Sequence, residues 1–402
     1  VIRKLRSDRL RVGMYVHAMV GSWMNHPFWR TRFLIRSEDE ITRILEAGIE
    51  ELYIDTDKGI DDQESRGPEQ VATEVDAELE QVISEGRGIV RRLPLTEELN
   101  TARGIHSRAT RVVRGMMQDV RLGRAISVAD VEPVVEAISG SLARNSSALL
   151  GMLGIKNKDD YTFQHSVSVG TLLVAFGRSL GLSEDELREI GLGGMLHDLG
   201  KMKVPDAILN KPGRLTDEEF AVIKRHPEDG HAILLETKGV GDTPLDITRH
   251  HHERFNGRGY PDALGGESIS RYARMAAIVD VYDAITADRC YHKAMTATEA
   301  LRRMWEWSAN DFDRNLLQAF MKCVGIYPVG SVVRLESGIV GVVVEQNEQR
   351  MLTPRVKAVF HGKSLRALQP SIIDLAQGTD KIASTEPPDR WPIDVAAHLT
   401  GT

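Results

Sequence analysis

Cysteine is almost absent from these 402 residues: Cys290 and Cys323 are the two in the chain, and they do not form a C-x-x-C pair. No disulfide framework can be built from them, and a reducing compartment is the expectation. No apolar run approaches the roughly 18 residues that read as a membrane span. The opening residues Val1-Ile2-Arg3-Lys4-Leu5 lack the apolar core of a secretory signal and lack an initiator Met, so the end reads as trimmed and the compartment as cytoplasmic. A basic excess is missing too. The formal net charge of −7 argues against broad binding to a nucleic-acid polymer, although a local group of cations can still hold a small anion. No internal repeat is evident. What the chain has is length, and 402 residues at 42% hydrophobic and 27% charged suit a soluble globular protein of two or three domains.

The pattern along the chain predicts a multidomain, mainly α protein. Residues 1–60 read as a small α+β unit, regulatory or interacting in role. It has a short strand at Arg11–Val16, a helix over Glu38–Ala47 with Ile41, Ile44 and Leu45 on one face, a stop at Gly48 and a strand at Leu52–Ile54. Trp23, Phe28 and Trp29 could form a binding surface, but the core of a small domain is the more economical assignment. Residues 61–150 read as a linker and helical segment. The acidic stretch 59–76, which overlaps its start, is the linker, and Val71, Val75, Leu79, Val82 and Ile83 keep a helical spacing. Ser127–Asp130 resembles a capping box opening a long helix through Leu150. Residues 151–327 are almost wholly helical, with Ser183/Glu186 and Thr216/Glu219 at capping-box spacing. Residues 328–402 read as a short β-rich appendage, with strands at 331–335, 339–345 and 355–360. A loosely ordered tail of about 25 residues is expected after it.

Seven of the 13 histidines fall between residues 165 and 252: His165, His197, His226, His231, His250, His251 and His252. One histidine alone is usually structural; the clustering is what calls for an explanation. His197-Asp198 closes the apolar run Leu192–Leu196, and Asp280 sits inside Met275–Val281, which otherwise reads as a buried helix. A carboxylate in such a setting is costly unless it is paired or coordinates a metal. Two such carboxylates with several imidazoles suit a divalent transition metal. If the helix continues past His197, Lys201 shares a face with it and points at whatever His197 holds.

The series His197-Asp198-x-x-Lys201, His226-Pro227, His251-His252-Glu253, Asn256–Pro261 (with Gly259-Tyr260-Pro261) and Asp280–Arg289 resembles the HD-GYP family of cyclic di-GMP phosphodiesterases over roughly residues 155–325. The elements in this order are specific, where a bare His-Asp pair is not. The first 60 residues look like a domain of unknown function found ahead of some HD-GYP domains, Phe28–Phe33 being the nearest match. The resemblance implies an all-α HD-type helical bundle. It also implies metal ligands at His165, His197, Asp198, His226, His251, His252 and Asp280. One ion would take His165, His197, Asp198 and Asp280, and a second would share Asp198 and take His226, His251 and His252. His250 and His231 have no counterpart and are left as structural. Some members carry a Glu four residues before the first histidine in support of a third ion. That position is Tyr161 here, so two ions are expected, Fe or Mn by preference, and full conversion to GMP is in question.

A dimetal-activated hydroxide would then attack the 3′-5′ phosphodiester of cyclic di-GMP in line, with the ions about 3.5–4 Å apart, giving linear pGpG and possibly GMP. Asp198 and Lys201 are the catalytic candidates, Lys201 holding a phosphate oxygen or aiding proton transfer. Arg289 and Lys293 follow the Asp280 helix and are expected on the second phosphate, Arg being suited to bidentate contact. Tyr260 and Gly259 are expected to line the pocket, the loop needing the freedom of Gly257 and Gly259. A simple turn without substrate contact is the competing assignment. The resemblance also links Gly259-Tyr260-Pro261 to protein partners such as diguanylate cyclase domains, and leaves a homodimer open. Two other readings stand beside this one: a catalytically weak cyclic di-GMP-binding regulator or partner-binding module, and an HD-type nucleotide phosphohydrolase.

Overall fold

The structure, a computed structural model, describes every residue except 20–31, 63–64, 68–70, 72–92, 154–159, 212, 214, 288–293, 309, 348–349, 351, 363, 365, 388–389 and 401–402. Trp23, Phe28, Trp29 and most of the helical pattern beyond Val71 therefore lie outside the described residues. The chain divides into two compact units, residues 1–85 with 302–314, and residues 86–301 with 315–402.

In the first unit, β1 (Ile2–Arg6), β2 (Tyr15–Met19), β3 (Phe33–Leu34), α1 (Glu38–Glu46) and β4 (Glu51–Asp55) build an antiparallel sheet in the order β1-β4-β2-β3. Leu52 and Ile54 alternate onto the face that buries Ile41 and Ile44 of α1, which is the amphipathic logic read from the sequence. Two expectations are corrected. The strand expected at 11–16 begins at Tyr15, because Val12-Gly13 makes a turn. The acidic stretch after residue 59 is not all linker: Ile60 N–H donates to the Gly13 carbonyl at 3.0 Å, and Arg66 exchanges two 2.8 Å backbone bonds with Lys4. Asp62 is buried against Arg11 at 3.2 Å. Polar composition suggested solvent there, but these polar groups find protein partners.

The second unit is helical and then β. Its helices are α2 (Leu95–Arg121), α3 (Glu132–Leu153), α4 (Tyr161–Ser179), α5 (Glu184–Leu196), a 3₁₀ turn (Leu199–Lys203), α6 (Asp206–Leu209), α7 (Asp217–Ile223), α8 (His226–Leu235), α9 (Asp242–His250), α10 (Arg271–Ile285), α11 (Ala297–Trp307, ending among residues of the first unit) and α12 (Arg314–Val324). Two of the three capping boxes read from the sequence form, at Ser183/Glu186 and Thr216/Glu219. Ser127 instead caps a short 3₁₀ turn at Val128–Asp130, and α3 starts after it. Asn145 breaks α3 with extended dihedrals and donates its side-chain amide to the Leu93 carbonyl at 3.0 Å. α4 is buried on nearly every side from His165 to Gly177, as befits a central helix.

After α12 come β5 (Val332–Leu335), β6 (Ile339–Glu345), β7 (Arg355–His361), β8 (Arg366–Asp374), β9 (Ile382–Glu386) and α13 (Val395–Thr400). They form an antiparallel sheet in the order β8-β7-β6-β5-β9. Two of the five strands were not legible: β8 is exposed along most of its length, so it shows no apolar alternation. The tail expected to be loose contributes β9 and α13, and Trp391 and Leu399 are buried at 7% and 4% exposure in the core with Val332, Val340 and Val342. The molecule is thus mainly helical, with a small α+β region at its start and a β-sheet region at its end. No helix among the described residues is long and apolar enough to cross a membrane.

Candidate metal centre

Five helices deliver seven polar side chains to one buried spot, from their bodies or their ends. α4 supplies His165, α10 supplies Asp280, α8 opens with His226, and His251-His252 follow α9. α5 ends at Leu196, which leaves His197-Asp198 at the break before the 3₁₀ turn. None of the seven is more than 8% exposed. The apolar run ahead of His197 and the apolar body of α10 carry these groups inward, so the burial of hydrophobic surface offsets the desolvation of the polar ones.

Asp198 stands at the middle. Its Oδ2 lies 3.3 Å from His197 Nε2 and 3.6 Å from His165 Nε2, and its Oδ1 lies 3.3 Å from His226 Nε2 and 4.0 Å from His251 Nε2. Asp280 Oδ1 is 3.0 Å from His165 Nε2 and 3.8 Å from His197 Nε2, while its Oδ2 is 3.9 Å from His252 Nδ1. Ligand atoms gather within 4.8 Å of one another in His165–His197–Asp280, in His226–His251–His252, and in His197–Asp198–His251.

The outer nitrogens show which way the imidazoles face. His197 Nδ1–H donates to the Gly194 carbonyl at 2.7 Å, His226 Nδ1–H to that of Ile223 at 2.7 Å, and His251 Nδ1–H to that of Thr248 at 3.0 Å. A carbonyl only accepts, so in the neutral ring the proton sits on Nδ1 and Nε2 turns a lone pair inward. His226 Nε2 and His251 Nε2 then meet at 3.2 Å, lone pair against lone pair. His197 Nε2, Asp198 Oδ1 and His252 Nδ1 are buried without a hydrogen-bond partner. A cation among these inward-facing atoms would supply the partner they lack. The donor types, imidazole and carboxylate, fit a divalent metal ion.

Electrostatics agree. Burial works to raise the Asp198 carboxyl, but His197 and Lys201 hold it well below the usual carboxylate range; Asp280 is held down likewise by His165 and His252 against its burial. Burial pushes His226 down to about 4, and it holds His251 and His252 well below the ordinary imidazole range. His197 goes up, its burial outweighed by Asp198.

Lys201 differs from the sequence expectation. The helix does not continue past His197, so Lys201 does not share a helical face with it. The 3₁₀ turn brings Lys201 Nζ to 2.6 Å from Asp198 Oδ2, with the side chain 24% exposed. This turn sits so close on α8 that a Cβ on Gly200 would overlap the His226 carbonyl oxygen and Gly230 N.

The loop after His252 folds back on it. Tyr260 is half-buried, its ring centroid 4.8 Å from that of His252. Gly257 has a φ of +75°, as the expected tight loop needs. Gly259 does not; it is required by space, since a Cβ there would overlap the backbone of Glu253 and Arg254. Arg289 and Lys293 lie outside the described residues. His250 turns both ring nitrogens to carboxylates, Asp246 at 2.7 Å and Asp262 at 3.0 Å. His231 is half-buried in α8, its pKa lowered by burial. Tyr161 stacks on the His165 ring at 5.7 Å and 9°.

Two buried carboxylates that sequence reasoning gave no role complete the surroundings. Asp283 Oδ2 lies 2.6 Å from His165 Nδ1 and orients that ring. Its signal was available: a second Asp one helical turn after Asp280. Glu253 accepts the backbone N–H groups of Asp262 and Leu264 at 2.8 and 3.0 Å, and burial raises its carboxyl. No local periodicity announces partners nine and eleven residues away.

Residues 2–131 match a domain of unknown function, DUF3391, and residues 152–316 match an HD domain. The cyclic di-GMP phosphodiesterase PA4108 of Pseudomonas aeruginosa is 44% identical across 97% of this chain and 94% of its own length. The cyclic di-GMP phosphodiesterase response regulator RpfG of Xanthomonas campestris pv. campestris is 42% identical across 36% of this chain and 38% of its own. The 3′3′-cGAMP-specific phosphodiesterase 1 of Vibrio cholerae is 36% identical across 40% of this chain and 37% of its own.

Proposed function

The chain belongs to the HD-GYP-type family of HD-domain phosphodiesterases, and from that premise we propose that it hydrolyses a 3′-5′ phosphodiester bond of cyclic di-GMP to give linear pGpG. The observation that carries the proposal is the division of Asp198, one carboxylate oxygen toward His165 and His197 and the other toward His226 and His251. Two divalent ions would be held here, one by His165, His197, Asp198 and Asp280, the other by Asp198, His226, His251 and His252. A pair of such ions, when bound, supplies an acidified water and neutralises charge on the phosphoryl oxygens.

The chain's own residues do the rest. Asp283 holds His165, and the backbone carbonyls of Gly194, Ile223 and Thr248 hold His197, His226 and His251, so the donor set is preorganised before substrate arrives. Lys201 Nζ, bonded to Asp198 and partly exposed, is assigned in this reading to take a non-bridging phosphate oxygen or to pass a proton to the departing 3′ oxygen. Tyr260 and Gly259 form one wall, where a planar base can lie on the phenol ring. Arg289 and Lys293 are proposed for the second phosphate. With Tyr161 at the position of a third-ion carboxylate, linear pGpG is the proposed main product and GMP a secondary one. Fe or Mn is the proposed metal and the cytoplasm the proposed compartment. The Gly259-Tyr260-Pro261 segment is the proposed docking point for a diguanylate cyclase domain.

The test is turnover of cyclic di-GMP by protein reconstituted anaerobically with Fe(II) or Mn(II), with products resolved by chromatography. Linear pGpG that disappears on chelation is the expected result. Measurable cyclic di-GMP binding with no product from either metal would overturn the enzymatic reading in favour of a receptor; rapid GMP would overturn the role given to Tyr161.

A further inference from the structure

Resting on that reading of the site, we infer that Glu253 is a positioning residue for substrate: its carboxylate fixes Tyr260 against His252 and so sets one wall of the binding site. Glu253 is 1% exposed and follows His252 directly. Each of its oxygens accepts a different backbone N–H, Oε1 from Asp262 at 2.8 Å and Oε2 from Leu264 at 3.0 Å. The two N–H groups thus use one acceptor on each side of the carboxylate. A Gln has one carbonyl oxygen, and its NH₂ would face the second N–H, so only a carboxylate satisfies both.

Between Glu253 and those two anchor points lies Tyr260. Its N–H reaches the His252 carbonyl at 3.3 Å, its ring is inclined 32° to that of His252, and Gly259 lets the loop lie directly on the backbone of Glu253 and Arg254. The outer side of the same loop is tied by Asp262, whose carboxylate takes Arg249 at 2.7 and 2.8 Å and His250 at 3.0 Å. The loop is therefore held from inside by Glu253 and from outside by Arg249. Glu253 itself is turned toward the loop amides, so it acts through Tyr260 and touches no reacting atom.

The experiment compares Glu253→Gln, Tyr260→Ala and the double variant, each metal-loaded, on cyclic di-GMP and on methyl p-nitrophenyl phosphate, a diester with no base to place. For Glu253→Gln the expected result is a roughly tenfold rise in KM for cyclic di-GMP, at least five times the rise for the small diester, with metal content kept. In the Tyr260→Ala background the same change should add less than twofold. Hydrogen exchange at the Asp262 and Leu264 amides should quicken at least tenfold in Glu253→Gln. Loss of metal, an equal loss on both diesters, additivity with Tyr260→Ala, or unchanged exchange would each overturn the inference. If Glu253→Gln does not fold, Arg249→Gln on the outer anchor replaces it, with a smaller KM rise expected and additivity with Tyr260→Ala again decisive against. A wild-type protein that leaves cyclic di-GMP intact would sink the catalytic reading, and the exchange measurement would still decide the clamp.

Discussion

Replacing Asp283 should weaken one metal position and spare the other. Asp283 Oδ2 lies 2.6 Å from His165 Nδ1 at a site 3% exposed, a short charge-assisted bond in a dry setting. His165 Nε2 faces Asp280 at 3.0 Å and Asp198 at 3.6 Å, whereas His226, His251 and His252 gather separately. Outer partners of this kind are worth about 10–100-fold in metal affinity, or about 1.4 kcal/mol per tenfold. Asn can keep an acceptor on His165 but loses the charge, so Asp283→Asn belongs near tenfold, and Asp283→Ala, which loses both, near 100-fold. The assay is metal titration against a competing chelator, resolving two affinities per chain, with circular dichroism as a control for folding. Equal weakening of both positions, or none in a folded Asp283→Ala protein, would refute the assignment of Asp283 to His165's ion.

Lys201→Ala should keep its metal, since the loss of a cation leaves Asp198 more negative, while kcat falls by about 10²–10³ as for removal of one donor to a transition-state oxygen; metal loss on analysis would make Lys201 a structural residue. Metal-free protein should lose stability as pH falls from about 6.5 to about 4. Burial holds His226 down to about 4 and His251 and His252 well below the ordinary imidazole range, so the unfolded chain takes up the extra protons as pH falls, at up to about 1.4 kcal/mol per pH unit for each. His197, held up by Asp198, contributes fully below 6.5 and loses its contribution only as pH rises above that. A melting temperature equal or higher at pH 5 than at pH 7.5 would contradict this balance. Gly200→Ala should push α8 away from the 3₁₀ turn at a cost of about 1–3 kcal/mol or more, lowering the melting temperature and the affinity of the His226 group first; wild-type values for both would show that the contact relaxes freely.

Much of the helical region was legible because its signals are local. A capping box joins residues three apart, and Ser183/Glu186 and Thr216/Glu219 form as spaced. The strands β6 and β7 carry their own apolar pattern. β8 and β9 do not, and neither does the stretch around Asp62 and Arg66, whose partners Arg11 and Lys4 lie more than fifty residues earlier. Trp391 and Leu399 looked like a loose tail for the same reason: what buries them is the sheet around Val332, Val340 and Val342.

At the candidate site, the sequence by itself determined which groups were expensive to bury. An Asp inside an apolar helix, and a His-Asp pair at the end of another, demand a partner wherever the chain takes them. It could not say that Asp198 would divide its oxygens between two sets of imidazoles, that Lys201 would answer Asp198 rather than follow His197, or that Asp283 and Glu253 would hold a histidine ring and a loop. Those relations join α4, α5, α8, α9 and α10, and they exist only once hydrophobic burial has set the helices side by side. Desolvation cost belongs to a residue and can be read from its neighbours in sequence; the direction of a lone pair belongs to a packing arrangement, and only the tertiary structure fixes it.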